Sequence, residues 1–219
     1  MTDLETTYRR RFEESLTPLA VAIEDQLRAY FAAEPRIDRV AARAKSVDRF
    51  LAKARKVENG TPKYAEPLRQ IQDQIGARVI TFYWSDVERI AAIVERYYRP
   101  IEARNLIPES EWEFGYFGRH YILVIPNDVI DPSMDRELIP EFFELQVKTL
   151  FQHAWSEAEH DLGYKPGAVP LTSDEKRRLA FTAAQAWGAD RIFDELFHER
   201  GVAGGISDVG GARAKHRGP

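Results

Sequence analysis

A group of basic residues near position 50 recurs with the spacing of a helix. Lys45, Arg49 and Lys53 lie four positions apart, and Arg43 comes just before them. Residues at this spacing share one side of a helix, where like charges repel one another. A ligand with several phosphates would turn that repulsion into attraction, whereas the alternative is a solvated basic face. The spacing leaves both interpretations open.

A second set of reactive groups alternates along residues 142–149, FFELQVKT. In a strand, the apolar side chains at the odd positions would point to the core. An acid, an amide and a cation would then share the other face: Glu144, Gln146 and Lys148. Such a row on a rigid strand could carry catalysis. A solvent-exposed sheet face would show the same alternation.

Two further places could hold a metal ion. Asp73 precedes the apolar stretch 75–84, where a carboxylate can bind Mg²⁺ beside substrate phosphates, although a turn would use the same residue. His153, Glu157 and His160 share one side of a predicted helix. That spacing can ligate a metal, and it is also typical of a hydrogen-bonded polar face.

The surrounding pattern predicts an α+β fold, a mixed β-sheet flanked by helices. Helices are expected at 4–33, 46–56, 86–100, 150–162 and 173–200, and strands at 37–44, 75–84, 120–125 and 142–149. The stretch between 100 and 119 is expected to be irregular. Residues 1–200 are predicted to form a single domain, and the glycine-rich segment 201–219 a flexible basic tail.

Composition and missing motifs exclude several kinds of functional site. The 219 residues include no cysteine, which excludes disulfides, zinc–thiolate sites and thiol nucleophiles. No apolar run approaches the roughly 20 residues of a membrane span, and residues 1–14 do not read as a secretion signal. The prediction is a cytoplasmic protein without membrane contact. Because GxxxxGK[ST], GxGxxG and HExxH are all absent, phosphate binding would depend on side-chain cations.

Five segments in order resemble the synthetase domain of the RelA/SpoT family, which makes the alarmones (p)ppGpp. The family pattern RxKxxxSxxxK is matched at 43–53, and D-x-x-G-x-R at 73–78. G-Y-x-S-x-H is matched at 115–120, E-x-Q-[IV]-R-T at 144–149, and HAWxExxHxLxYK at 153–165. The resemblance therefore covers a motif core from 43 to 165. It implies a nucleotidyltransferase-like synthetase domain of the small alarmone-synthetase kind.

The activity that this resemblance implies is a GTP pyrophosphokinase, transferring pyrophosphate from ATP to the 3′-hydroxyl of GDP or GTP with Mg²⁺. Arg43 and Arg78 would stack on the adenine of ATP. The complete ATP-binding set would be Arg43, Lys45, Arg49, Lys53 and Arg78. Lys45 and Lys53 would hold the triphosphate and neutralise charge during transfer.

The resemblance assigns the remaining catalytic roles to two carboxylates. Asp73 and Glu144 would share the Mg²⁺, and Glu144 would also take the proton of the attacking hydroxyl. Tyr116 would stack on the acceptor base. The remaining acceptor residues would be His120, Gln146 and Lys148.

Several positions depart from the family pattern. Arg49 and Gly118 stand where the family has serine, and Lys148 where it has arginine. Acids occupy the segment in which the family places a phosphate-binding lysine: Glu109, Glu111 and Glu113. Such an acceptor side would also suit the toxic branch of the family, which pyrophosphorylates the tRNA CCA end or makes (p)ppApp. In that case tRNA would bind elsewhere, at Arg213, Lys215 and Arg217.

Two other interpretations stay open at this point. A toxic enzyme would need an antitoxin partner, and the apolar stripe of the N-terminal helix could serve a homo-oligomer or that antitoxin. A nucleotide-binding module without catalysis is the alternative from another class. The presence of both Asp73 and Glu144 argues against it, because binding alone would not need two carboxylates.

Overall fold

The computed structural model describes residues 3–105, 114–116, 118–163 and 170–204. Five of its seven strands form one mixed sheet, in the order β1-β4-β7-β6-β5. The strands are β1 (Ile37–Ala44), β2 (Val57–Glu58), β3 (Thr61–Pro62), β4 (Ile75–Thr81), β5 (Pro100–Asn105), β6 (Arg119–Val124) and β7 (Phe142–Thr149). β4 and β7 run parallel, whereas the other neighbouring pairs of this sheet are antiparallel.

The alternation along β7 has the predicted orientation. Phe143, Leu145 and Val147 are fully buried in the core, while Glu144 and Gln146 lie half-buried on the opposite face. The two-residue strands β2 and β3 form a separate hairpin. Its turn places Asn59 and Gly60 at φ angles of 51° and 80°, which an Asn-Gly pair adopts readily.

Helices cover the sheet. They are α1 (Asp3–Arg11), α2 (Thr17–Tyr30), α3 (Val47–Ala54), α4 (Pro67–Gln70), α5 (Trp84–Tyr97), α6 (Leu150–Gly163) and α7 (Ser173–Gly204). A π-helical segment, Phe12–Leu16, joins α1 to α2, so the predicted helix 4–33 is confirmed with one irregular turn. Its apolar stripe is fully buried at Leu16, Leu19, Ile23 and Leu27. Burying four such side chains contributes roughly 1.5–3 kcal/mol each.

The main difference from the predicted elements is β5. The sequence PIEARN alternates over only two apolar residues, Ile101 and Ala103, and it lies at the edge of the sheet with Ile101 about half exposed. It becomes a strand because β6 pairs with it. The predicted strand 75–84 also ends earlier, at Thr81, since the backbone N–H of Tyr83 bonds to the Asp86 carboxylate and begins α5.

The two faces of the sheet differ in what they carry. One face packs on the hydrophobic core with α2 and α5. The other face presents polar side chains of β1, β4 and β7 toward α3 and α6. Among the described residues, no helix is both long enough and apolar enough to cross a membrane.

Candidate active site

Strand register brings the predicted polar residues into two rows on one face of the sheet. In the first row Arg43 of β1 pairs with Gly76 of β4, and Gly76 pairs with Glu144 of β7. The second row lies two residues further along β4 and consists of Arg78, Gln146 and His120. Side chains two apart on a strand point to the same face, so both rows face one space.

That space is a cavity of about 500 Å³. Its walls come from the β1–α3 corner, the two central strands and one side of α6. Residues of the sequence-predicted site that line it are Arg43, Lys45, Arg49, Asp73, Arg78, Glu144, Gln146 and Lys148. Ser156, Glu157 and His160 of α6 close the far side. A cavity of this size and polarity suits a nucleotide.

Asp73 is at the centre of the charged groups beside α3. Its Oδ2 atom lies 2.9 Å from Lys45 Nζ and 3.0 Å from Lys53 Nζ. Burial would raise the pKa of this carboxyl, but the two lysine charges outweigh burial and hold the pKa below its usual value. Lys53 of α3 and Lys45, which precedes this helix, are therefore paired with an acid, unlike the residues of a solvated basic face.

Glu144 is held by its two row neighbours. Its Oε1 atom lies 3.0 Å from His120 Nδ1, and its Oε2 atom accepts a hydrogen bond of 3.2 Å from Gln146 Nε2. Burial would raise the pKa of Glu144, yet the bond and charge of His120 outweigh it and lower the pKa. The carboxylate is thus ionised at neutral pH and able to accept a proton or a metal.

The arginines form the other end of the cavity. Arg43 and Arg78 are diagonal neighbours on β1 and β4, and burial together with the charge of Arg78 lowers the pKa of Arg43. Glu157 offsets this like-charge pair, because its Oε1 atom accepts a hydrogen bond of 3.0 Å from Arg78 Nη1. The position of Glu157 on the side of α6 is explained by this bond.

Support for the lysine end comes from α1. The Tyr8 hydroxyl donates to the backbone carbonyl of Lys45 at 2.8 Å, and the Tyr8 ring stacks on Phe50 of α3 at 3.6 Å. Arg11 Nη1 donates to Gln74 Oε1 at 3.1 Å, next to Asp73. The first helix thereby fixes both partners of the lysine–aspartate cluster.

Lys148 and Tyr116, two predicted acceptor residues, are deeply buried. Lys148 is 5% exposed, and its Nζ donates to Ser156 Oγ at 3.0 Å. Burial, assisted by the charge of Arg78, lowers the pKa of Lys148 to about 8. Tyr116 is 3% exposed, with its ring beside Trp84 and its hydroxyl bonded to Asp190 of α7. It is absent from the described residues that line the cavity.

Asp190 is a buried acid that links α7 to this region. It accepts hydrogen bonds from the hydroxyls of Tyr116 and Thr149, the last residue of β7. Burial raises the pKa of Asp190 to about 6, although both hydrogen bonds oppose the shift. The acceptor role of Tyr116 stays a prediction, and it requires the ring to leave this cover.

Comparison with known proteins decides the family. Residues 42–168, more than half of the chain, match the region found in RelA/SpoT proteins. The chain belongs to the RelA/SpoT family. It is 26% identical over 207 residues to the GTP pyrophosphokinase YjbM of Bacillus subtilis, covering 88% of this chain and 90% of that protein.

Solved structures agree with the fold. The small alarmone synthetase 1 from Bacillus subtilis, bound to its product pppGpp, matches with a TM-score of 0.64 and 24% identity, over 90% of this chain and 95% of that chain. A GTP pyrophosphokinase family protein from Streptococcus pneumoniae matches with a TM-score of 0.68 and 23% identity, over 95% and 100%. The mixed sheet flanked by helices is confirmed as the fold of these relatives.

Two departures from the RelA/SpoT pattern meet in space. A Cβ atom at Gly118 would clash with the backbone oxygen of Val147 and with the side-chain stem of Lys148. The serine of the family pattern therefore does not fit here without a shift of β7. Gly118 and Lys148 form a matched pair, in which the glycine makes room for the buried lysine.

The donor set of this RelA/SpoT protein fits a divalent metal. Asp73 Oδ1 is buried, and the described residues offer it no hydrogen-bond partner, so one oxygen remains for a cation. Glu144 is close enough to Asp73 for the charge of Asp73 to act on it, in the direction that raises the pKa of Glu144. Within the described ranges no three His, Asp or Glu side chains gather around one point, and Mg²⁺ beside phosphates needs only one or two carboxylates.

Several contributors were missing from the sequence prediction. The Tyr8 hydroxyl bonds to the backbone of Lys45, 37 positions away. Ser156 bonds to Lys148, 8 positions away, and Asp190 to Tyr116, 74 positions away. Only Ser156 left a signal, as a neighbour within the HAWxExxH segment. The acids Glu109, Glu111 and Glu113, the closing Lys165, and the tail residues Arg213, Lys215 and Arg217 lie outside the described residues.

Proposed function

We propose that this RelA/SpoT protein is an ATP-dependent pyrophosphokinase that transfers the β,γ-pyrophosphoryl group of ATP to the 3′-hydroxyl of GDP or GTP. The observation that carries the proposal is a pair of carboxylates that line one cavity, one of them in contact with two lysines. Asp73 contacts Lys45 and Lys53, and Glu144 faces the same space. The name of the relative YjbM, GTP pyrophosphokinase, supports this assignment.

The donor nucleotide would occupy the end of the cavity between the arginines and the lysines. Arg43 and Arg78 present guanidinium planes, which stack well on a purine. Lys45 and Lys53 would exchange part of their contact with Asp73 for the phosphates of ATP, assisted by Arg49. Charge that develops on the phosphates during transfer would then meet fixed cations.

The chemical step needs one base. The acceptor 3′-oxygen attacks the β-phosphorus of ATP, the bond between the β-phosphorus and the α,β-bridging oxygen breaks, and AMP leaves. Glu144 takes the proton of the attacking hydroxyl, a role for which His120 and Gln146 keep it ionised and oriented. Because one P–O bond forms as another breaks, no oxidant or further reactant is required.

A divalent ion, Mg²⁺ in this proposal, would be held by Asp73 and Glu144, and it would neutralise phosphate charge. Acceptor recognition is assigned to His120, Gln146, Lys148 and Tyr116. Partners beyond the substrates, whether a second copy of the chain or an antitoxin, stay predictions, as does a cytoplasmic location.

The test is a labelling experiment. Purified protein with Mg²⁺ and γ-labelled ATP is incubated with GDP, GTP, ADP, AMP or bulk tRNA, and the labelled product is separated. We expect label in GDP or GTP and one AMP released for each transfer. Label only in tRNA, lost when the terminal adenosine is removed, would replace this function with that of a translation toxin. No transfer to any acceptor would leave a nucleotide-binding module.

A further inference from the structure

Gly76 lies in the middle of the charged row that crosses the sheet. It is a residue of the inner strand β4, paired with Arg43 on one side and with Glu144 on the other. Neighbouring strands are about 4.8 Å apart, so the backbones of Arg43 and Glu144 are separated by roughly 10 Å with only a hydrogen atom between their side chains. The gap opens into the cavity that Gly76 lines.

A glycine inside a strand weakens it and has to have a reason. Two usual reasons are present at other glycines of this chain. Gly60 has a positive φ of 80°, and Gly118 has no room for a Cβ atom. Neither applies to Gly76, whose φ lies outside the left-handed region and whose Cβ would meet nothing within 4 Å. The fold itself would accept a side chain at this position.

The remaining reason for such a glycine is the close approach of a ligand to the backbone. We propose that Gly76 is a substrate-contact residue. Its bare backbone is the floor on which the ribose and phosphates of a nucleoside triphosphate cross from the arginine pair to Glu144. The inference rests on the proposed function for the identity of the ligand, and it adds the residue that keeps the path between the two ends open.

The floor explains how two distant ends can act on one molecule. Arg43 and Arg78 hold one end, while Asp73, Lys45 and Glu144 surround the other. A side chain at position 76 would lift the nucleotide from the sheet. A displacement of 1 Å away from the reacting groups can cost about 10²-fold in rate. Because Gly76 has no side chain, it allows the nucleotide to lie close to the sheet and to the reacting groups.

The experiment compares Gly76→Ala, Gly76→Val and Gly76→Leu. The readouts are the Kd of a non-hydrolysable ATP analogue with Mg²⁺, kcat/KM for the transfer, and the melting temperature. We expect affinity to fall in the order of side-chain volume, by about tenfold or more for Val and Leu, which corresponds to about 1.4 kcal/mol. The melting temperature should stay equal to that of the wild type or rise. Gly188→Leu on α7 is the matched control, because its Cβ also meets nothing within 4 Å.

Two results would overturn the inference. One is analogue affinity and turnover of Gly76→Leu within about twofold of the wild type, a difference below about 0.4 kcal/mol. The other is a loss of affinity that follows a loss of melting temperature across the series, since the glycine would then serve the fold. The mild Gly76→Ala variant keeps the series interpretable if a larger one fails to fold. A wild type that neither binds the analogue nor transfers would instead refute the proposed function.

Discussion

The proposed donor side and the proposed acceptor side of the cavity are built in different ways. On the proposed donor side, Lys45 and Lys53 both pair with Asp73, and the three side chains are 19–31% exposed. On the acceptor side, Lys148 and Tyr116 are 5% and 3% exposed and bonded to helices. Asp73 and Lys45 line the cavity and can exchange partners with a ligand directly, whereas Tyr116 lies outside the described lining and has to be uncovered first.

This difference follows from the elements involved. Lys45, Lys53 and Asp73 lie at the β1–α3 corner, on α3 and in the turn before β4, and the pairing of β1 with β4 brings them together. The proposed acceptor groups depend on α6 and α7: Lys148 bonds to Ser156, eight positions later, and Tyr116 bonds to Asp190, 74 positions later. Acceptor binding is therefore expected to be the step that responds to helix movement.

The largest effect is expected at the residue that both sides share. Glu144→Gln removes the proposed base and one proposed metal ligand, so turnover should fall by about 10²–10⁴-fold, the range for general-base catalysis. Affinity for an ATP analogue should change far less. Steady-state kinetics and analogue titration measure the two quantities. Glu141→Gln, an exposed acid beside the same strand, is the control. Near-normal turnover would remove Glu144 from the mechanism.

On the proposed donor side, Lys45→Met should lower kcat by about 10²–10³-fold, as for the loss of one preorganised charge.

Lys45→Met should also alter the stability of the fold in acid. The folded pKa of Asp73 is depressed, so its contribution is present above the unfolded pKa of about 3.8 and is lost as pH falls through the folded value. Without Lys45 the folded pKa moves back up, and acid unfolding should begin at a higher pH. Circular dichroism during acid titration tests this, and an unchanged acid midpoint would show that the pair contributes nothing.

On the acceptor side, the burial of Lys148 should appear in stability. Its pKa falls from 10.5 to about 8 on folding, so the unfolded chain holds more protons between these values and wild-type stability rises with pH there. Lys148→Met should therefore stabilise the fold at pH 7, with a benefit that shrinks toward pH 10. Denaturant unfolding at both pH values measures this. Lys176→Met, at an exposed position, should show no such trend. A benefit that grew with pH would reverse the assignment.

The smallest effect is expected from Tyr116→Phe. The change keeps the ring and removes the hydroxyl bonded to Asp190, so the ring should be released more easily. One hydrogen bond has a net contribution of about 0.5–1.5 kcal/mol, which corresponds to a KM for the acceptor lower by roughly 2–10-fold. The KM for ATP should not change. Tyr97→Phe, at an exposed tyrosine, is the control. A higher acceptor KM would mean that the hydroxyl itself serves binding.

The sequence was sufficient where a periodic pattern and a local motif coincided. The alternation of FFELQVKT predicted the bounds of β7 and the face of Glu144. The four-residue spacing grouped Lys45 with Lys53, and both contact Asp73, although α3 begins at Val47 and only Lys53 of the two belongs to it. The pairing of both lysines with Asp73 needed the β1–β4 register, which no local pattern contains. β5 was not predicted because it is a short edge strand with only two apolar side chains in alternation, and its conformation depends on pairing with β6.

Other parts of the site were beyond the reach of local patterns for a physical reason. The bond from Tyr116 to Asp190 joins residues 74 positions apart, and only the packing of α7 brings them together. Glu157 was noted as one of three polar residues on a helix side, but its partner Arg78 lies 79 positions earlier. Such contacts leave no periodic trace in the residues around them.

The contact between Tyr8 and Lys45 shows that the region matching the family and the residues that position the site are not the same set. The family match begins at residue 42, whereas the hydroxyl that steadies Lys45 and the ring that covers Phe50 come from α1. The region that matches the family is thus smaller than the set of residues that positions Lys45. A cut in the linker after α2, or a bulky group attached near Tyr8, would loosen the lysine end while leaving every family motif intact. A molecule that bound α1 could therefore slow the enzyme without entering its cavity.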